Sequence, residues 1–153
     1  MQIVGLVISW AVAIGIIGIG MGYAAKSEMN ATGFGLPQLP EREARGWWQV
    51  KGVRDIVSGV LIIVAIITAR ADLWWLILVL SLIPLGDALV VLTNGGRKSA
   101  AFGIHGATAA AMIIAALLLE RSGSLRWITA LLAAFERRFI PSPSAQDTIE
   151  AVA

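Results

Sequence analysis

Lys51, Arg54, Asp55, Asp87 and His105 are ionisable residues set inside stretches of sequence that are otherwise apolar. A charge at the centre of a membrane costs about 2.5–3.5 kcal/mol on insertion scales, so such residues face a bundle interior and mark a site. Spacings of three and four share one face of a helix. Lys51, Asp55 and Ser58 therefore form one stripe, and Asp87, Val91 and Asn94 form a second, with Pro84 one turn earlier. His105, Thr108 and Met112 form a third. Arg54 projects about 100° away from Asp55, towards a different neighbour, and Asp87 is the obvious one. Two carboxylates in unlike environments can divide acid and base roles. A histidine exchanges protons near neutral pH, and a cation polarises a carbonyl or stabilises an enolate or alkoxide. Asp55 and Asp87 are the expected acid/base pair and His105 the proton relay. Lys51, Arg54, Ser58 and Asn94 are expected to order the carboxylates or bind a polar substrate group. Such a set suits isomerisation, cyclisation or hydration of a lipophilic small molecule that arrives through the bilayer.

The same residues have a plainer use. Two carboxylates and two cations neutralise one another and fix helix register, while His105 donates to a backbone carbonyl across Gly106 and Ala107. On that reading the chain is a structural or accessory membrane subunit and not an enzyme. A small transporter is a third reading, ranked last because the opposite membrane side offers no intramembrane charge. One His with two Asp can form a metal triad, but the adjacent Lys and Arg repel a cation, so no metal and no cofactor are expected. With no cysteine there is no disulfide, thiolate site or thiol nucleophile. No Ser-His-Asp set, Walker loop or dinucleotide fingerprint occurs. Gly15-Ile16-Ile17-Gly18 sits in an apolar run, where glycines serve packing.

The elements that position these residues follow from composition. The chain has 153 residues, 58% hydrophobic and only 14% charged. A soluble domain carries about 25% charged residues, so lipid is the expected solvent. The net charge of +2 comes without a dense basic run, which excludes nucleic acid as a partner. Four apolar stretches approach the ~20 residues that cross a bilayer core. They run over residues 3–25, 50–69, 73–93 and 100–119, and in lipid they must be helices. The second begins with charges and is held by Trp47, Trp48 and Arg70 as interface anchors. The first lacks a basic leader and reads as a retained helix, not a signal peptide.

Residues 26–46 form the longest connection, with Gly33, Gly35, Pro37, Pro40 and five charged residues from Glu28 to Arg45. It is expected to cover the entrance to the polar layer. Arg70-Ala71-Asp72 implies a tight antiparallel hairpin, and Gly95-Gly96 a helix stop. The predicted fold is all-α: a four-transmembrane-helix antiparallel bundle over residues 1–120. A C-terminal amphipathic surface helix follows over 121–140, with apolar Ile128, Leu131, Leu132, Phe135 and Phe139 at three-to-four spacing. Residues 141–153 are expected to be a disordered tail. Asp55, Asp87 and His105 then all lie roughly 8–10 Å below one membrane face. Lys and Arg divide equally between the two sides, and the basic C-terminal cluster places both termini in the cytoplasm of a multi-pass cell-membrane protein. Gly18 and Gly22 have small-xxx-small spacing. They pack either inside the bundle or, as a homo-oligomer contact, against a second copy.

Phe34-Gly35-Leu36-Pro37, Lys51-Gly52-Val53-Arg54-Asp55, Pro84-Leu85-Gly86-Asp87-Ala88 and the later His105 occur in this order. As an ordered set they resemble the small four-helix integral membrane proteins of bacteria and fungi grouped as a domain of unknown function. The resemblance covers about residues 3–119; it implies the fold and marks the same residues, and it supplies no reaction. A looser similarity is to emopamil-binding-type sterol isomerases, which also hold acidic residues inside a membrane bundle, without a shared motif.

Overall fold

The computed structural model describes residues 1–38, 45–69, 71–120 and Phe135. Two compact units are present, Met1–Leu119 and Glu120–Ala153. The surface helix expected over 121–140, the tail, and Arg70 as an anchor all lie outside the described residues. The first unit is helical, with no strand among its described residues.

Helix α1 (Gln2–Ala25) is a run without a charged residue, ending where Lys26 donates its N–H to the Gly22 carbonyl at 2.8 Å. Residues 26–46 are not simply a loop. They begin with an eight-residue helix, α2 (Ser27–Phe34). Asn30 makes the joint between the two helices, its Nδ2 donating to the carbonyls of Gly22 and Lys26, each at 2.9 Å. The carbonyls left over at a helix end need such partners. Gly35, with φ +101°, closes α2 in the left-handed conformation that glycine adopts without a Cβ clash.

Helix α3 (Gly46–Thr68) starts four residues earlier than the apolar stretch at residue 50, and carries its charges in its first half. Residues 73–93 form α4 (Leu73–Leu80) and α5 (Leu82–Thr93), broken at Ser81. Pro84 explains the break: it has no N–H to offer the Leu80 carbonyl. The bonds from Ser81 to Ile77 and from Leu85 to Ser81 persist, so the chain kinks but does not stop. The last run comprises α6 (Lys98–Ala100), a π-helical segment (Ala101–Gly106) and α7 (Ala107–Leu119). Three runs are long and apolar enough to cross a membrane: Gln2–Ala25, Leu73–Thr93 and Lys98–Leu119.

Helix α1 packs along α3 and, at its other flank, on α7; α4 lies on α7, and α5 lies on the π segment. The α1–α3 contact is backbone to backbone. A Cβ at Gly20 would stand 2.6 Å from the Gly52 carbonyl oxygen, and one at Gly59 would stand 2.7 Å from that of Ala13. Gly18, expected to pack, has open space around it, and Gly22 faces Asn30. The core divides in two. Ile62, Ile66, Leu73, Ile77, Met112 and Leu119 form an apolar cluster, whereas Tyr23, Phe34, Trp48 and Val91 form an aromatic one beside the charges. Outward-facing positions are apolar, as at Val53, Val57, Val64 and Ile67 on α3, while Asp55 and His105 are buried. This inversion of the usual soluble pattern is compatible with a lipid surround.

Candidate functional site

Four charged side chains close into one network. Lys51 pairs with Asp55 one helical turn ahead, and its Nζ also lies 3.8 Å from Asp87. Arg54 reaches across from α3 to α5, donating Nη2 to both Asp87 oxygens at 2.8 and 3.1 Å. It also donates Nε and Nη2 to Asp55 at 3.3 and 3.2 Å. Each cation thus serves both carboxylates, and the network carries no net charge. The helical offset between Arg54 and Asp55 does direct the guanidinium to Asp87. Lys51, Asp55 and Asp87 are each at most 13% exposed at the side chain, whereas Arg54 is 39% exposed and forms the outer edge.

His105 is held from a different direction. Its Nε2 lies 3.1 Å from the Phe34 carbonyl oxygen at the end of α2, instead of bonding back across Gly106 and Ala107. A carbonyl can only accept, so Nε2 carries the hydrogen, and in the neutral imidazole Nδ1 presents its lone pair. Nδ1 faces Asp87, 3.9 Å from Oδ2. That gap is too long for a direct hydrogen bond. The π segment sets this geometry: its wider turn changes the side-chain register between α6 and α7, a departure frequent at functional sites. Nothing in residue types 101–106 announces it.

The aromatic cluster was not singled out from sequence. Lys51 Nζ lies 4.6 Å from the Tyr23 ring centre and 5.5 Å from that of Phe34. Tyr23 stacks on Trp48 at 5.8 Å, and Phe34 sets its edge against Trp48 and against His105 at 5.5 and 4.7 Å. Trp48 is therefore a wall of the site, only 7% exposed, and not an interface anchor; Trp47, at 74%, is the exposed member of the pair. The available signal was the single tyrosine of the chain, close to the end of α1 and so at the depth of the polar layer.

A cavity of about 270 Å³ opens beside the network. Its lining combines Tyr23, Lys51, Asp55, Asp87 and His105 with apolar Ile16, Ile19, Leu80, Ile83, Pro84 and Met112. A second, more open cavity of about 510 Å³ is lined by Leu36, Gln38, Trp47, Trp48 and Arg54, and shares Phe34, Lys51 and Asp87 with the first. Ser58 lines the inner cavity but donates its hydroxyl to the Arg54 carbonyl at 2.8 Å. Asn94 is not brought to the site. It is exposed, lines neither cavity, and donates to Val90 at 2.8 Å. Among the described residues no three His, Cys, Asp or Glu side chains converge on a metal position.

A family model described as a domain of unknown function, DUF4267, matches residues 13–119. The chain belongs to that family. The match spans the charged network, His105, the aromatic cluster and the inner cavity of this DUF4267 chain. No curated protein and no solved structure matches it.

Proposed function

We propose that this DUF4267 chain is a four-helix antiparallel membrane protein that binds a lipophilic small molecule and moves a proton on it. The spanning segments are α1, α3, α4–α5 and α6–α7 with the π segment, and both termini face the cytoplasm. One observation carries the reading: the charged network lines a cavity whose remaining lining is largely apolar. Ion pairs that only fixed helix register would serve as well in a solid core. At about 270 Å³ the space falls just below the ~300–1,000 Å³ range of small-molecule pockets, so the ligand is small.

The roles proposed here differ from those expected from sequence. Both carboxylates are paired with cations, and Asp55 is paired at both of its oxygens. His105 Nδ1 is the base, and Asp87 stabilises the imidazolium that forms when Nδ1 takes a proton. Arg54 and Lys51 hold Asp87 in place, with Asp55 as their second counter-ion. The reaction class is isomerisation, cyclisation or hydration.

The closed ion network favours a second reading, an accessory membrane subunit held in register. The two separate by experiment. The full chain in lipid nanodiscs is expected to accelerate hydrogen–deuterium exchange of β-tetralone, a small enolisable ketone, in heavy water. His105→Gln should fold with the parent's yield and lose about a hundredfold in that rate. Equal collapse of folded yield in Asp55→Asn, Asp87→Asn and His105→Gln overturns the proposal in favour of the accessory subunit. A folded parent that exchanges no faster than empty nanodiscs overturns it as well.

A further inference from the structure

The polar groups lining the inner cavity can be taken one by one. Asn30 spends both amide hydrogens on Gly22 and Lys26. Ser58 donates to the Arg54 carbonyl, and Thr108 donates to the Ile104 carbonyl at 2.8 Å. The Lys51 ammonium is engaged by two carboxylates and two aromatic faces. Tyr23 alone among the neutral donors has no acceptor among the described residues. Its residue is only 5% exposed, yet no fully buried side-chain oxygen or nitrogen among them lacks a partner. The Tyr23 hydroxyl is therefore not fully enclosed, and Tyr23 lines the cavity. A phenol so placed is an unspent hydrogen-bond donor, and His105 Nδ1 in the same cavity is an unspent acceptor.

Charge narrows the ligand further. Lys51 and Arg54 are already matched by Asp55 and Asp87, so a carboxylate or phosphate would enter without a counter-ion. An ammonium would have to compete with two cations already bound to the same carboxylates. Burying an unpaired charge is strongly unfavourable, and a neutral oxygen that accepts a hydrogen bond is not.

We propose that the substrate is an uncharged, lipophilic carbonyl compound whose oxygen accepts a hydrogen bond from Tyr23 while His105 removes a proton from the adjacent carbon. This rests on the acid–base reading above and names its substrate class and its electrophile. In the forward step Nδ1 takes the proton. The C–H electron pair becomes the C=C bond of an enolate, and the carbonyl π pair moves to oxygen, where the Tyr23 hydroxyl stabilises it. Asp87 faces the resulting imidazolium. In a β,γ-unsaturated carbonyl compound the product of this step is a dienolate, and return of the proton from Nδ1 to its γ carbon completes an isomerisation with no oxidant and no second substrate. A donor placed where negative charge develops is the usual source of such stabilisation. Tyr23, and not Lys51 or Arg54, supplies it here.

The test uses the full chain in nanodiscs, with β-naphthol as a stable enol mimic and naphthalene as its oxygen-free counterpart. The parent should bind β-naphthol about tenfold more tightly than naphthalene. β-Naphthoate and a naphthylmethylammonium should bind more weakly than either. Tyr23→Phe keeps the ring that stacks on Trp48 and carries Lys51. It should abolish the preference for β-naphthol, leave naphthalene affinity unchanged, and slow β-tetralone exchange by about a hundredfold. A Tyr23→Phe protein that keeps both the preference and the exchange rate overturns the assignment of Tyr23, even while His105→Gln upholds the base. Binding of β-naphthoate as tight as that of β-naphthol overturns the uncharged substrate. Failure of every probe to bind removes the cavity reading and this inference together.

Discussion

Lys51 and Arg54 each serve both carboxylates, so deleting either leaves two acids to share one cation. Breaking a buried ion pair from one side costs about 3–5 kcal/mol, because the remaining charge is stranded, whereas removing both partners costs far less. Lys51→Met should therefore lower the detergent melting temperature more than the double variant Lys51→Met/Asp55→Asn. If the double variant is the less stable of the two, the network is not the closed, neutral unit its geometry describes. Charge was the most legible property at this scale. An ion inside an apolar run must find a partner, and the 100° offset of Arg54 pointed to Asp87. Tyr23 and Phe34 were not legible, because an aromatic residue near a helix end reads as ordinary packing until its neighbours are known. Asn94 misled for the opposite reason. It shares the Asp87 stripe in sequence, but two turns further on that stripe has run past the end of α5 into the exposed connection.

Helix existence followed from length and apolarity, and the runs ending at residues 25 and 119 are those of the sequence reading. Contacts between helices did not follow, because a pattern on one helix does not name the face that receives it. Gly18 and Gly22 have the favoured spacing, yet Gly20 is the residue that meets Gly52, and Gly59 meets Ala13. Gly52 and Gly59 are seven residues apart, two turns on one face of α3, and only their position opposite α1 gives that spacing meaning. Gly52→Ala would put its Cβ 2.7 Å from the Gly20 oxygen and 2.9 Å from the Ala24 nitrogen, both backbone atoms that cannot rotate away. It should destabilise the detergent-solubilised protein by about 1–3 kcal/mol, read as a drop in melting temperature. Gly18→Ala meets nothing within 4 Å and should leave that temperature unchanged or raise it. Equal effects of the two would mean that α1 and α3 do not approach as closely as described. The π segment and α2 were illegible for another reason. Both are tied to distant residues, by the bond from His105 to Phe34 and that from the Arg97 N–H to Gly35 at 2.8 Å, which sequence separations of 71 and 62 residues conceal.

Among its described residues the first unit keeps Lys51, Asp55, Asp87 and His105 inside and many apolar side chains outside. The run from Leu73 to Thr93 has 21 residues, and at 1.5 Å each it spans about 32 Å, close to the ~30 Å of a bilayer core. Ala71 stands before that run and Ser99 after it, both exposed. If α4–α5 spans the membrane, these two positions face opposite compartments. The chain contains no cysteine, so Ala71→Cys and Ser99→Cys each provide a single reporter in an otherwise unreactive background. With both termini cytoplasmic, the connection between α3 and α4 is cytoplasmic and the one after α5 is external. A membrane-impermeant maleimide should then label Ser99→Cys in intact cells and Ala71→Cys only in inverted vesicles, with both labelled after solubilisation. Labelling of both positions from one side would show that α4–α5 returns without crossing, and the antiparallel topology would fall. A reversed pattern would retain the bundle and invert its orientation. The charged network and the mouth formed by Trp47, Gln38 and Arg54 would then face the cytoplasm, and the substrate would reach them from that leaflet.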